Sequence, residues 1–93
     1  MTSETQIEFD PVKSLSNFEK HGVYLTDAVD FDWDKAQIKE DIRFIYAENR
    51  FEAMGWLGTR LHVVIYCKRG DKRRVISLRK ANQREFDEYV DKT

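Results

Sequence analysis

Five basic side chains stand within twelve residues near the end of the chain, Arg73, Arg74, Arg79, Lys80 and Arg84, and their type and spacing are the first hint of chemistry. A guanidinium offers a planar fork of donors and a charge that does not titrate near neutral pH, which suits a phosphodiester. Other catalytic equipment is missing. The four glycines, Gly22, Gly55, Gly58 and Gly70, form neither a Walker nor a dinucleotide loop. The two histidines, His21 and His62, have no partner at metal-ligand spacing, and no serine stands in a nucleophile elbow. A lone Cys67 excludes an intramolecular disulfide and a cysteine-based metal site, and its apolar surroundings read as a core thiol. Arginine, lysine, glutamate, histidine and tyrosine remain, and these can cleave RNA without a metal or cofactor. A base takes the 2′-hydroxyl proton, cations stabilise the charged phosphorane and an acid protonates the leaving 5′-oxygen, each contributing on the order of 10²- to 10⁴-fold.

The elements that must position these groups can be read from the same residues. Around the basic cluster, Val75, Ile76 and Leu78 are β-formers whose period-2 alternation puts Arg73, Val75, Ser77 and Arg79 on one face and Arg74, Ile76 and Leu78 on the other. Asn82 with Glu85 three places on is a capping box, and Phe86, Tyr89 and Val90 follow at helical spacing. Upstream, Arg50–Trp56 and Leu61–Lys68 form a hairpin turning near Gly58 and Thr59. Its second strand is apolar on both faces and therefore central, and a turn at residues 69–72 leads on to the basic strand. Ile7, Glu8 and Phe9 read as a short first strand. Asp10, Pro11 and Gly22 then delimit a helix in which Val12, Leu15 and Phe18 can pack inward, opposite a polar stripe of Lys13, Asn17, Lys20 and His21. Thr26 can cap a second helix through Phe31 with Ala28 and Val29 inward. Trp33–Ile38 is extended, and residues 39–49 read as a loop with at most one helical turn. The expectation is an α+β domain with two N-terminal helices, an antiparallel meander sheet and a C-terminal helix.

Ninety-three residues, 41% of them hydrophobic and 35% charged, make a single domain over residues 1–93 with one core. No apolar run approaches the roughly 18 residues of a membrane span, and the polar N-terminus is no secretory signal, so a cytoplasmic protein without membrane contact is expected. The net charge is only −1, but its distribution is uneven. Residues 66–86 hold eight basic and two acidic side chains, whereas residues 27–52 hold eight acidic and four basic ones. Such a basic half is either a solvated surface or the footprint of a polyanion.

Three blocks of residues resemble the BrnT toxins of bacterial type II toxin-antitoxin systems. They are Phe9, Asp10, Lys13, Asn17, Lys20, His21, Gly22 and Val23; then Asp41, Arg43, Tyr46, Glu48, Arg50 and Gly55; then Arg69, Arg74, Ile76, Ser77, Arg79, Ala81, Glu85 and Tyr89. The resemblance runs from Phe9 to Tyr89. Ala47 stands where many members have glycine, Leu78 where alanine is common, and Glu52 lies in a strand more apolar in the relatives. It implies a RelE-like fold, an RNA-cleaving activity that halts translation and growth, and neutralisation by a BrnA-type antitoxin with a ribbon-helix-helix domain. It also implies a 2:2 complex that reaches operator DNA through the antitoxin.

Roles follow as expectations. Arg50, Arg74 and Arg79 would clamp the scissile phosphate, with structural salt bridging as the alternative. Glu48, two residues from Arg50, is either the general base or the group that orients that arginine, and His21 is either an acid-base group or a loop-orienting one. Lys13, Lys20, Arg43, Arg69 and Lys80 are candidate RNA-backbone contacts. Tyr89 and Glu85 read as core packing and capping. The competing readings are a degenerate toxin that binds nucleic acid or protein without catalysis, and a purely structural interaction domain.

Overall fold

A computed structural model describes residues 6–42 and 48–93. Strand β1 (Gln6–Glu8) leads into helix α1 (Pro11–His21), followed by a 3-10 helix (Leu25–Asp30). Four strands come next, β2 (Gln37–Asp41), β3 (Arg50–Leu57), β4 (Arg60–Arg69) and β5 (Lys72–Lys80), and helix α2 (Gln83–Lys92) closes the chain. The sheet order is β1-β5-β4-β3-β2, with β4 central as its two apolar faces require. Neighbours β2 to β5 are antiparallel, but β1 runs parallel to β5, so the sheet is mixed rather than a plain meander. The fold is α+β.

Three sequence expectations change here. The second N-terminal helix is a single stretch of 3-10 helix that begins at Leu25, where the Asp27 carboxylate accepts from the Tyr24 backbone N–H at 3.0 Å, and Val29 is exposed rather than inward. Residues 37–41, divided in the sequence reading between an extended segment and a loop, form edge strand β2 paired to β3. Helix α1 is oriented opposite to its apolar pattern. Val12, Leu15 and Phe18 are 73%, 60% and 42% exposed, and the buried residues are Ser14 and Asn17.

Hydrogen bonding explains that orientation. Strand β1 pairs only with Lys72–Arg74, so the outer edge of β5 beyond it has backbone groups without a strand to meet. The Asn17 amide meets them as a strand would: Nδ2 donates to the Leu78 carbonyl at 2.7 Å, and the Leu78 N–H donates to Oδ1 at 3.3 Å. Nδ2 also donates to the Val23 carbonyl at 2.9 Å, and the Leu25 N–H donates to Ser14 Oγ at 2.9 Å. Satisfying buried backbone groups outweighs burying three apolar side chains on an 11-residue helix. Asp10 caps the helix start, and Gly22, at φ 76°, ends it in the left-handed conformation.

The sheet separates two apolar clusters. On the α1 side, Leu25, Ala28, Phe31, Trp33, Ala53, Val64, Tyr66, Val75 and Leu78 pack together, with Trp33 edge-on to Tyr66 at 5.3 Å. On the α2 side lie Met54, Leu61, Val63, Ala81 and Tyr89. Among the described residues no helix is long and apolar enough to cross a membrane.

Replacing Asn17 with leucine keeps the branched shape but strands both Leu78 groups. The expected loss is about 2–4 kcal/mol, read as a fall in the thermal midpoint of about 10 °C or more. A loss under about 0.5 kcal/mol would show that something else holds this edge.

Candidate active site

The register of the sheet decides which side chains meet. Asp41 pairs with Arg50, Arg50 with Cys67, Cys67 with Arg74 and Arg74 with Glu8, one row across all five strands. The next row is Lys39, Glu52, Ile65 and Ser77, and the one after it is Gln37, Met54, Val63 and Arg79. These rows share the face on which α2 packs, because Met54 and Val63 belong to the α2 cluster. Arg50, Arg74 and Arg79 therefore project from the same side of the sheet.

Simple alternation had put Arg74 and Arg79 on opposite faces. The difference is a β-bulge: Ile65 pairs with Ser77 and Tyr66 with Val75, leaving Ile76 as an extra residue in β5. Before the bulge Arg74 faces α2's side and Arg73 the other. The Arg73 guanidinium lies 4.2 Å from the Trp33 ring centre and 5.6 Å from that of Tyr66.

Carboxylates hold most of these cations. Arg79 Nη1 and Nη2 donate to the two Glu85 oxygens at 2.8 Å each, and Glu85 Oε1 also accepts from the Asn82 N–H at 2.9 Å. The capping glutamate of α2 thus fixes the guanidinium fork. The Arg79 hydrogen bonds, helped by the Asn82 N–H and opposed by burial, lower the Glu85 pKa from 4.5 to about 2. Arg74 Nη1 donates to Glu8 at 3.1 Å. Glu48 is held not by the neighbouring Arg50 but by Arg69, which donates to it at 2.7 and 3.2 Å and lowers its pKa. At the centre of the row the Cys67 thiol is buried, and burial, reinforced by Glu48, pushes its pKa up.

A cleft of about 450 Å³ opens between β2, β3 and α2 and is lined by Arg79, Glu52, Asp41, Lys39 and Arg84, among others. Arg50 and Arg74 stand on the same face outside its lining. His21, Lys13 and Lys20 are exposed on α1, which packs on the opposite layer, so they do not join the three arginines. Lys80 is exposed at the end of β5 opposite His62, on the α1 side. Arg43, with Tyr46 and Ala47, lies outside the described residues. Sequence reasoning missed Glu8 as the partner of Arg74 and assigned no surface to Glu52. Only strand register could have found either. Among the described residues no group of three His, Cys, Asp or Glu could hold a metal ion.

A family model described as "Ribonuclease toxin, BrnT, of type II toxin-antitoxin system" matches residues 9–85. The solved structure of the Brucella abortus ribonuclease toxin, BrnT, is similar at a TM-score of 0.66 and 27% identity, covering 85% of this chain and 99% of that one. No curated protein matches the chain.

The Glu85 clamp predicts a pH dependence. Its folded pKa is depressed, so its contribution is present above 4.5 and is lost as pH falls through about 2. Glu85→Gln should cost on the order of 2 kcal/mol near neutral pH, allowing for partial solvent screening, in chemical unfolding experiments. The gap between wild type and variant should close on acidification, and a pH-independent gap would argue against the ion pair as its source.

Proposed function

Because the chain belongs to the BrnT family of ribonuclease toxins of type II toxin-antitoxin systems, we propose that it cleaves RNA without a metal ion, with Arg50, Arg74 and Arg79 gripping the scissile phosphate. The observation that carries this reading is that all three arginines project from the α2 side of the sheet, next to a cleft that Arg79 itself lines. A pentacoordinate phosphorane gains negative charge as it forms, and guanidinium forks held in advance by carboxylates stabilise it without reorganisation. Glu48 acts by orienting Arg69, as its two hydrogen bonds to that arginine suggest. Arg69 and Lys80 lie at the strand ends and, with Arg43, contact the RNA backbone. Lys13, Lys20 and His21 do so from the α1 side, His21 as a binding group rather than a proton donor. The frame is RelE-like, and residues 1–93 work as one domain.

As a type II toxin the protein has an antitoxin partner. We assign it a BrnA-type antitoxin with a ribbon-helix-helix domain, in a 2:2 complex that reaches operator DNA through the antitoxin, and a cytoplasmic site of action where translation halts.

Purified protein incubated with RNA in excess EDTA should shorten it, whereas an intact but retarded band would identify a binder without catalysis. Arg50→Ala and Arg79→Ala should each lower cleavage on the order of 10²-fold or more and abolish growth arrest in cells. A folded variant that arrests growth at wild-type expression would remove that arginine from the site. Lys13→Ala and Lys20→Ala should weaken RNA binding in a salt-dependent manner while leaving the maximal rate near wild type.

A further inference from the structure

We propose that Glu52 is the general base of the cleavage reaction, the group that takes the proton from the attacking 2′-hydroxyl. The inference rests on the ribonuclease reading above and deepens it.

Position is the first argument. Glu52 follows Arg50 by two residues on the same face of β3 and stands in the row between those of Arg50 and Arg74 on one side and Arg79 on the other. Across the sheet from it lie Ile65 and Ser77, neither of which carries a charge to compete for a phosphate. A phosphate held in the cleft by Arg79 lies beside the Glu52 carboxylate, with Arg50 two residues away on the same face of β3. Glu52 also lines the 450 Å³ cleft together with Arg79.

Availability is the second. A carboxylate committed to a hydrogen-bonded ion pair is a weaker base than one that is not. Glu85 is held by Arg79 and the Asn82 N–H, Glu8 by Arg74, and Glu48 by Arg69. Asp41 is also engaged. Among the described residues Glu52 forms one ion pair, with Lys39 Nζ at 3.6 Å, too long for a hydrogen bond, and that lysine is itself 70% exposed. Its own side chain is 15% exposed, sheltered but reachable. A leucine would pack better against Ile65 and Met54, so stability alone gives no reason for a carboxylate here.

The step balances as follows. A Glu52 oxygen accepts the 2′-hydroxyl proton, the 2′-oxygen forms a bond to phosphorus, and the bond from phosphorus to the 5′-oxygen breaks. The 5′-oxygen takes a proton from water at the open mouth of the cleft, and the hydroxide so formed removes the proton from Glu52. The products are a 2′,3′-cyclic phosphate and a 5′-hydroxyl.

Glu52 must be ionised to act, so the maximal rate should rise with pH on the acid side and then level. The charged groups facing it are Lys39, Glu40 and Asp41 from β2, Arg79 from β5, and Arg84, Glu85 and Glu88 from α2, with Arg50 beside it on β3.

Steady-state cleavage of a short RNA in EDTA, measured across pH for wild type, Glu52→Gln and Glu52→Asp, tests the assignment. Glu52→Gln should lower kcat on the order of 10²- to 10⁴-fold, leave KM within a few-fold and abolish the acid-side rise. A substrate with sulfur in place of the 5′-oxygen needs no acid, and the variant should stay slow on it. Recovery there would make Glu52 the acid and overturn the proposal. If Glu52→Gln fails to fold by thermal denaturation, Glu52→Asp keeps the charge and draws it back by one methylene. It should lose on the order of 10-fold, and full activity would overturn the proposal. Unchanged kcat and pH profile in Glu52→Gln, with Arg79→Ala inactive, would refute the base and leave the ribonuclease reading standing. Wild-type protein that leaves RNA intact would end both.

Discussion

The arginine face depends on one residue that has no partner. A strand alternates with period two, so a slip of one residue turns every later side chain to the other face. At Ile76 the chain makes that slip once, inside β5, while β4 runs on regularly beside it. The half of the strand before the bulge is inverted relative to the half after it. Val75 and Leu78, three apart, therefore both reach the aromatic core, and Arg74 and Ser77 both reach the α2 side. Arg73 is turned onto the rings of Trp33 and Tyr66, where its flat charge suits the ring faces. With no bulge the apolar residues of the two halves would face opposite ways, and one half of the core would be lost. Core packing therefore fixes the bulge, and the bulge fixes the arginines.

Position alone does not make a guanidinium useful, since a long flexible side chain loses entropy on binding. Here that cost is met on folding. Glu85 holds both Arg79 nitrogens, and its own place is set by the capping box that starts α2. The helix start and the cation are one unit, so the lowered Glu85 pKa reports both. The Glu8–Arg74 pair ties the short parallel strand β1 to β5, and Glu48 ties the start of the hairpin to Arg69 at its end. Exposed pairs of this kind add little stability each. Their larger effect is to fix the direction of the guanidinium forks, which the proposed grip on phosphate requires.

Much of this was legible in the sequence, and the rest has physical reasons for being hidden. The β3–β4 hairpin, the central β4 strand, the capping box at Asn82 and the α1 caps at Asp10 and Gly22 are local signals, and they appear where the sequence puts them. The direction in which α1 faces is not local. It depends on how short β1 is and on the open backbone at Leu78, which an apolar pattern cannot encode. The bulge at Ile76 carries no glycine or other marker, so simple alternation split Arg74 from Arg79. The partners of Glu8, Glu48 and Glu85 lie 66, 21 and 6 residues away, and only the last is near enough to suggest itself from spacing.

The cleft's shape follows from how α2 is fastened. At its start the Arg79–Glu85 pair joins it to β5, and near its end Gln37 Nε2 donates to the Tyr89 carbonyl while the Tyr89 hydroxyl donates to the Lys35 carbonyl, each at 3.0 Å. Tyr89 is buried against Trp56, ring centres 6.0 Å apart, so the second fastening is packed as well as hydrogen-bonded. Held at both ends, the helix covers Leu61 and Val63, and Ile65 packs against the rim of the same cluster. Beside it the cleft opens toward β2 and β3, where Glu52 stands near Arg79, itself held by Glu85. The residue at the third position of α2 thus fixes the cation that lines the cleft.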